Sequence, residues 1–408
     1  MPEYKMSFWN YLPLPEKLRA QRKDAGFWKD HTVEEFVKDW KDMGMNFPMT
    51  FSYDGNGEED KKMLLECLDL CEKYGLKAIV DDIRANSWIY FTKGEEEYRK
   101  GLKQAIEDFG KHPAIYAFCI GDEPPINKLS EVAKICRIYK EYAGNVHGYL
   151  NLLPYWDNSD GSFTESSGCK NSAEYSALLS KFLKESGLDI LSYDFYGQCS
   201  YTDREKYIGI YYENLKAFGD AARENNAELW VCPLSVGHMS VKTPDENEIR
   251  WQICTAAASG ASGFAWFYMY TRFYDQPFEN APYDLRMRRT QTYEYLSRQC
   301  YTFNEYLAPA LADYQFVWAK HYGKVYGAFE EFQPDENMKS FRCVINEVPF
   351  IITKFENKEG EIAYAVTNNS QTLPSYAEVI LGGELGEGKA KFWVLPGQMR
   401  IISKKIWA

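Results

Sequence analysis

Eight times before residue 307, a short apolar run is followed by a segment of helical spacing, and this alternation limits the fold more than any other feature of the chain. The runs lie at 6–12, 45–53, 76–83, 114–124, 146–155, 189–197, 228–236 and 263–270. Between the first two, "TVEEFVKDWKDMG" places Val33, Phe36, Val37 and Trp40 on one helical face, with Thr32 as N-cap and Gly44 as terminator. After the second, "DKKMLLECLDLCEKYG" does the same with Met63, Leu64, Cys67, Leu68 and Cys71. Further helices are expected near 98–109, 129–143, 172–186, 207–225, 245–259 and 285–306. Most of the apolar runs are continuous, as in strands buried on both faces of a parallel sheet. Eight such units predict an α/β fold of the (β/α)8 TIM-barrel type, for which ~250 residues is typical. An open doubly wound sheet is the alternative, but no glycine-rich phosphate loop follows the first run.

From about residue 309 the texture changes to short strand-like runs separated by turn residues, among them "SFRCVI", "PFIITKF", "EIAYAVTN", "YAEVIL", "KAKFWVL" and "MRIIS". These predict a small antiparallel β-sandwich, giving a barrel over 1–307 and a C-terminal unit over 308–408. No run reaches the ~18 apolar residues of a membrane span. The first 20 residues lack the basic start and apolar stretch of a signal peptide. The ten cysteines are scattered without a CxxC pair, which predicts reduced thiols and a cytoplasmic location. With 47 basic against 59 acidic residues, a net charge of −12 and no basic block, neither nucleic acid nor an anionic membrane is an expected partner. The sequence carries no signal for an oligomeric state.

A barrel of this kind holds its chemistry at the C-terminal ends of its strands. In order, those ends offer Trp9 and Asn10, then Tyr53, then Asp81 and Asp82, then Asp122 and Glu123, then Asn151 and Tyr155, then Asp194 and Tyr196, then His238, and finally Trp266, Tyr268 and Tyr270. Acids, amides and aromatic rings suit a carbohydrate, whose apolar faces stack on rings and whose hydroxyls need acceptors. Trp9, Trp266, Tyr268 and Tyr270 are the expected stacking groups. The most pointed stretch is "FCIGDEPP" at 118–125, where the fourth run ends in two adjacent carboxylates. Two carboxylates in a partly dry site raise one pKa, so that one can donate a proton to a leaving oxygen. Glu123 is then the donor, Asp122 its modulator, Gly121 the source of backbone room and Pro124–Pro125 a stiff exit. The competing reading is that the pair merely caps the next helix. Asp81 and Asp82 are open between binding sugar hydroxyls and pairing with Arg84.

On the tetrapeptide "GDEP" and the aromatic "GFAWFYMY" of the eighth run, residues 5–306 resemble clan-A glycoside hydrolases. That resemblance implies a β-glycosidase with Glu123 as general acid/base, and the trailing sandwich is similar to the accessory domain of many such enzymes. It also implies a nucleophilic Glu at the end of the seventh strand. Here the only nearby Glu, Glu228, begins that run instead. The second catalytic group is then Asp194, or Glu246 or Glu248 reaching back, or the substrate itself. The last option rests on a similarity of the Asp122–Glu123 pair to substrate-assisted hexosaminidases, in which the sugar's acetamido oxygen attacks while the Asp orients it. A catalytically silent sugar-binding barrel and a barrel lyase or isomerase are the other classes. No cofactor is expected: there is no HExxH, HxH or Cys/His cluster, no GxSxG elbow, and His31, His112 and His147 lie away from strand ends of the required sense. The segment 271–284 is expected to wall off one end of the cleft.

Overall fold

The structure, a computed structural model, describes residues 4–15, 31–271 and 278–404. Seven of the predicted runs form one parallel sheet: Lys5–Phe8, Ala78–Val80, Ile115–Asp122, His147–Leu152, Ile190–Asp194, Glu228–Cys232 and Gly263–Trp266. The last of these pairs back onto the first, so the sheet curls round with Lys5–Phe8 and Ala78–Val80 at its two edges. The second run, 45–53, fills the gap between those edges by single hydrogen bonds. Phe47 N donates to Met6 O at 2.9 Å, and Thr50 N to Ile79 O at 2.9 Å. Pro48 has no N–H to give, so this segment cannot sustain a ladder, and only isolated bridges at Met49, Ser52 and Tyr53 remain. It closes the barrel all the same. Trp230, Tyr149 and Tyr116 pack ring against ring in the lower interior, so the barrel is filled rather than hollow.

The helices lie outside. Val33–Asp42 starts with the expected Thr32, which forms a capping box with Glu35. Glu246–Ala258 starts with a second box, Asp245 with Glu248. Among the described residues, no helix is long and apolar enough to cross a membrane.

A helical stretch from Gln291 through Leu311 leads into the C-terminal unit. This unit has a five-stranded sheet (Tyr314–Tyr322, Glu330–Glu331, Phe350–Asn357, Ile362–Asn368, Met399–Ser403) and a three-stranded one (Met338–Ile345, Ser375–Leu381, Gly388–Val394). Phe350, Ile352, Tyr364, Val366, Val379 and Ile402 fill the space between the sheets. The opposite face of the larger sheet, with Ile351, Phe355, Ala365 and Ile401, is continuous with the barrel's own core. Polar bonds join the two units as well: Trp251 Nε1 and Tyr212 OH both donate to Asn369 Oδ1, at 3.0 and 2.5 Å.

Candidate active site

The fourth barrel strand slips register against the fifth between Cys119 and Gly121. Such a bulge re-aims the side chains beyond it. A Cβ on Gly121 would stand 2.7 Å from Ser87 Oγ and 2.8 Å from Leu150 Cδ1, so a side chain there would have to push both aside. Beyond it Glu123 takes a left-handed backbone conformation, φ +43, which a glutamate rarely adopts. Its N–H donates to Asn151 O at 2.9 Å. The pair does not cap the next helix: neither the short turn Ile126–Lys128 nor the helix Leu129–Ala143 receives a side-chain cap. Backbone strain held where no local structure needs it is typical of sites that act on something else.

Asn151, buried at the end of the fifth strand, ties the acids together. Its Nδ2 donates to Asp194 Oδ1 at 2.8 Å and to Asp122 Oδ1 at 3.2 Å. Its Oδ1 accepts from Ser192 Oγ at 3.1 Å and Cys232 Sγ at 3.5 Å, which fixes the amide's orientation. Tyr149 OH reaches Ser192 Oγ at 3.1 Å, and Trp9 Nε1 donates to Cys232 Sγ at 3.3 Å. The acids at the rim therefore stand on a polar floor that is itself hydrogen-bonded.

Asp194 and Glu123 line the same cavity, near enough for each charge to bear on the other. Burial, then the charges of Glu123 and Asp122, hold the Asp194 pKa well above the usual carboxylate range, against the opposing bond from Asn151. Asp122 is exposed on one face, but protein atoms crowd the rest of it. That desolvation, followed by the Glu123 charge, pushes it up to about 7. Asp81 is pushed up to about 6, chiefly by burial, although Ser52 Oγ donates to it. Carboxyls that raise one another in this way give up their protons as a coupled set rather than singly.

The seventh strand ends in Cys232, buried, with its thiol pushed up to about 12 by burial. Glu228 lies at the far end of that strand, gathering Lys5 Nζ at 2.9 Å, Trp230 Nε1 at 2.9 Å and Tyr116 OH at 3.2 Å. Glu246 is held by Arg298 Nε at 2.7 Å, and Glu248, buried, by Arg204 and by Lys242 at 2.8 Å. Both are structural acids that do not reach back to the rim. Of these acids, Asp194 is the one that lines the same cavity as Glu123.

Glu123, Asp194, Tyr196 and His238 line one cavity of about 320 Å³. Tyr196 is half-buried and stacks on Phe267 at 5.3 Å; His238 stacks on Phe278 at 4.8 Å. The remaining expected residues are placed otherwise. Asp82 is fully buried in an ion pair with Arg84, at 2.7 Å, and Arg84 also holds Asp108. Tyr53 is buried against Arg84 and Phe109. Asn10 braces its own turn, donating to Met49 O and accepting from Leu12 N. Tyr155 is buried against Phe163, its backbone held by Asn214. Trp9, Trp266, Tyr268 and Tyr270 are buried and offer no ring face to a sugar: an apolar run that closes a packed barrel spends its rings on the core. Within 271–284, residues 272–277 lie outside the described residues.

Sequence reasoning missed the exposed rings beside the acids. Trp156, one residue past Tyr155, is 45% exposed and leans on Phe195 at 5.1 Å. Met239 is 58% exposed, in a left-handed conformation at φ +52. Both line the same cavity, as does Tyr207. The signal was present for Trp156, an aromatic just beyond a barrel strand; none marked Met239. Among the described residues, Asp69, Glu72 and His112 are close enough together to share a metal ion, but they sit on the outer helical layer rather than among the cavity's lining residues.

Eight barrel segments with an acidic rim, followed by an antiparallel sandwich, define the class: a (β/α)8 barrel with a C-terminal β-unit. Among solved structures, the chain is similar to a glycoside hydrolase family 5 protein from Bacteroides vulgatus, with a TM-score of 0.59 and 9% identity over 99% of this chain and 90% of that one. It is also similar to β-galactosidases from Marinomonas ef1 (TM-score 0.54, 14% identity, 76% of this chain and 60% of that one) and Rahnella sp. R3 (0.51, 12%, 76% and 57%). The chain thus spans somewhat over half the length of either galactosidase, and at these identities the likeness is one of fold. No protein-family model and no curated relative matches the chain.

Proposed function

We propose that this protein is a glycosidase that cleaves a β-linked glycoside or oligosaccharide, with Glu123 as general acid/base. The observation that carries this reading is that Glu123 and Asp194 line one cavity at the barrel's C-terminal rim. A glycosidase needs one carboxyl that holds a proton for the leaving oxygen and negative charge near the oxocarbenium-like centre. The strained backbone at Glu123 and the Asn151 bridge support it, because both hold the acids in place before substrate arrives. An inverting enzyme separates its carboxyls by ~6.5–9.5 Å to admit a water. A retaining enzyme sets them ~5–5.5 Å apart, and in that scheme Asp194 is the nucleophile. The solved structures of similar fold named as glycoside hydrolases are consistent with this class.

A second reading has its own support. The seventh strand ends in a buried thiol, and Asp122 shares the Asn151 amide with Asp194. In a substrate-assisted N-acetylhexosaminidase the acetamido oxygen attacks, Asp122 orients it, Tyr196 would bond it, and no strand-seven carboxylate is needed. A panel of aryl β-galactoside, glucoside, mannoside and N-acetyl-β-hexosaminide separates the two. Turnover of the acetamido sugar alone, with inhibition by a thiazoline, selects substrate assistance; turnover of the others selects Asp194. Binding without turnover of any member would leave a silent sugar-binding barrel.

A further inference from the structure

A second cavity, of about 280 Å³, lies at the seam between barrel and sandwich and shares no lining residue with the one that holds Glu123. The helix Glu246–Ala258 contributes Arg250, Ile253 and Cys254 to it, and the last strand of the sandwich contributes Met399 and Arg400. Phe303 and Leu307, from the helical stretch after Gln291, complete the apolar part. The described residues that line it thus bring two positive charges and no negative one. Arg250, half-buried, donates from Nε to Pro396 O at 2.7 Å and from Nη2 to Asn247 Oδ1 at 2.5 Å. Its Nη1 is left without a protein acceptor among the described residues. Arg400 carries a buried Nε with no hydrogen-bond partner. Glu246 stands one turn before Arg250, but its oxygens already accept from Arg298, at 2.7 and 3.1 Å, and from Gln299 at 2.8 Å. Cys254 adds no counter-charge, because burial pushes its thiol up to about 12. Burial also holds the Arg250 pKa below its usual value, so the acids around it do not make up for its lost hydration. Gln398, in the same lining, accepts from Leu395 N at 2.9 Å through Oε1, which leaves its Nε2 as a further donor. Buried charges are ordinarily paired and buried donors ordinarily bonded. A water would satisfy a donor here, but not a charge.

We infer that this cavity is a binding site for a small organic carboxylate with an apolar body, its charge taken by Arg250 and Arg400 and its hydrocarbon part by Ile253, Phe303, Leu307 and Met399. A guanidinium matches a carboxylate in both charge and planar geometry. The volume falls just under the ~300–1,000 Å³ of most small-molecule sites, which suits a medium-chain acid and not a long lipid. An inorganic anion would meet the charges but leave the apolar lining wet. An occupant touches the helix Glu246–Ala258 and the last strand together, so it ties barrel to sandwich and stabilises the folded chain by mass action. The site stands apart from the glycosidase reading and does not depend on it.

The test is calorimetric titration and thermal denaturation of the full chain with sodium octanoate, kept below its micelle concentration, with 1-octanol and inorganic phosphate as parallel arms. The expected result is saturable octanoate binding at one site per chain, tenfold or more tighter than either control, with a melting temperature that rises as octanoate is added. Arg400→Met is expected to weaken octanoate tenfold or more. It should leave the melting temperature without octanoate unchanged or higher, because no hydrogen bond of the Arg400 Nε is lost; a merely structural arginine would lower it. Should Arg400→Met fail to fold, Arg250→Gln is expected to show the same loss of affinity. No saturable binding, octanol or phosphate binding as tightly as octanoate, or an octanoate affinity untouched by both substitutions overturns the site.

Discussion

Asn151 shows how much a single amide can settle. One Nδ2 serves two carboxyls, and each bond favours the ionised form of its acceptor. Asn151→Leu removes both bonds, so the pKa values of Asp122 and Asp194 rise further. The acidic limb of the pH–rate profile is then expected to move to higher pH, with kcat/KM down about 10- to 100-fold from loosened positioning. A lower rate with an unmoved profile would make Asn151 a mere packing residue. Asp122 predicts an effect on stability. Its carboxyl titrates near 7 in the folded chain against an ordinary 3.8, so folding favours the protonated form. Below 3.8 both states hold the proton and no penalty exists; the penalty grows as pH rises and is complete above 7. After allowance for solvent screening of its open face, it is worth ~1–2 kcal/mol. Calorimetry should therefore find Asp122→Asn more stable than the parent at pH 8 and equal to it at pH 3.

At the scale of elements, the fourth strand's end is the critical joint. Gly121→Ala drives a methyl against Ser87 and Leu150. We expect a stability loss of about 1–3 kcal/mol, and a fall in kcat larger than thermal denaturation alone explains, because Glu123 and Asp122 are aimed from that point. An unaffected kcat would mean that the bulge does not aim them. Much of this level was legible in the sequence. Continuous apolar runs gave away the parallel strands, and Thr32 gave away a helix start. Less legible was the second barrel segment, where Pro48 interrupts the ladder while backbone bonds on either side keep the chain in place. The strand Tyr314–Tyr322 was not singled out, because its half-buried, Lys- and His-containing pattern resembles the turns around it. At the site, Asp122, Glu123, Asn151 and Asp194 were reachable because barrel topology brings strand ends to one rim. The stacking rings were not: hydrophobicity does not tell a ring that packs inward, such as Trp266 or Tyr270, from one left outside, such as Trp156. Only loop geometry decides that.

The whole molecule depends on the seam between barrel and sandwich. The larger sheet completes the barrel's outer core, and Asn369 bridges the units through Trp251 and Tyr212. Trp251 Nε1 also has Asn369 O at 3.2 Å, whereas Tyr212 OH depends on the side chain. Asn369→Ala should therefore cost about 1–3 kcal/mol, mainly for the buried hydroxyl left unpaired, and scanning calorimetry should still record a single transition. Two resolved transitions in the parent would show the units to be independent. The same seam supports the helix Glu246–Ala258, whose Gln252 bonds Leu234 N and O and Gln198 beneath the cavity loops. Proton donation by Glu123, as proposed, is tested most directly by kcat/KM for the parent and Glu123→Gln across aryl β-glycosides of graded phenol acidity. The expected loss is about 10²- to 10⁴-fold for the least acidic phenols, shrinking towards nothing for the most activated. A loss of the same size for every leaving group, or no loss at all, would contradict it.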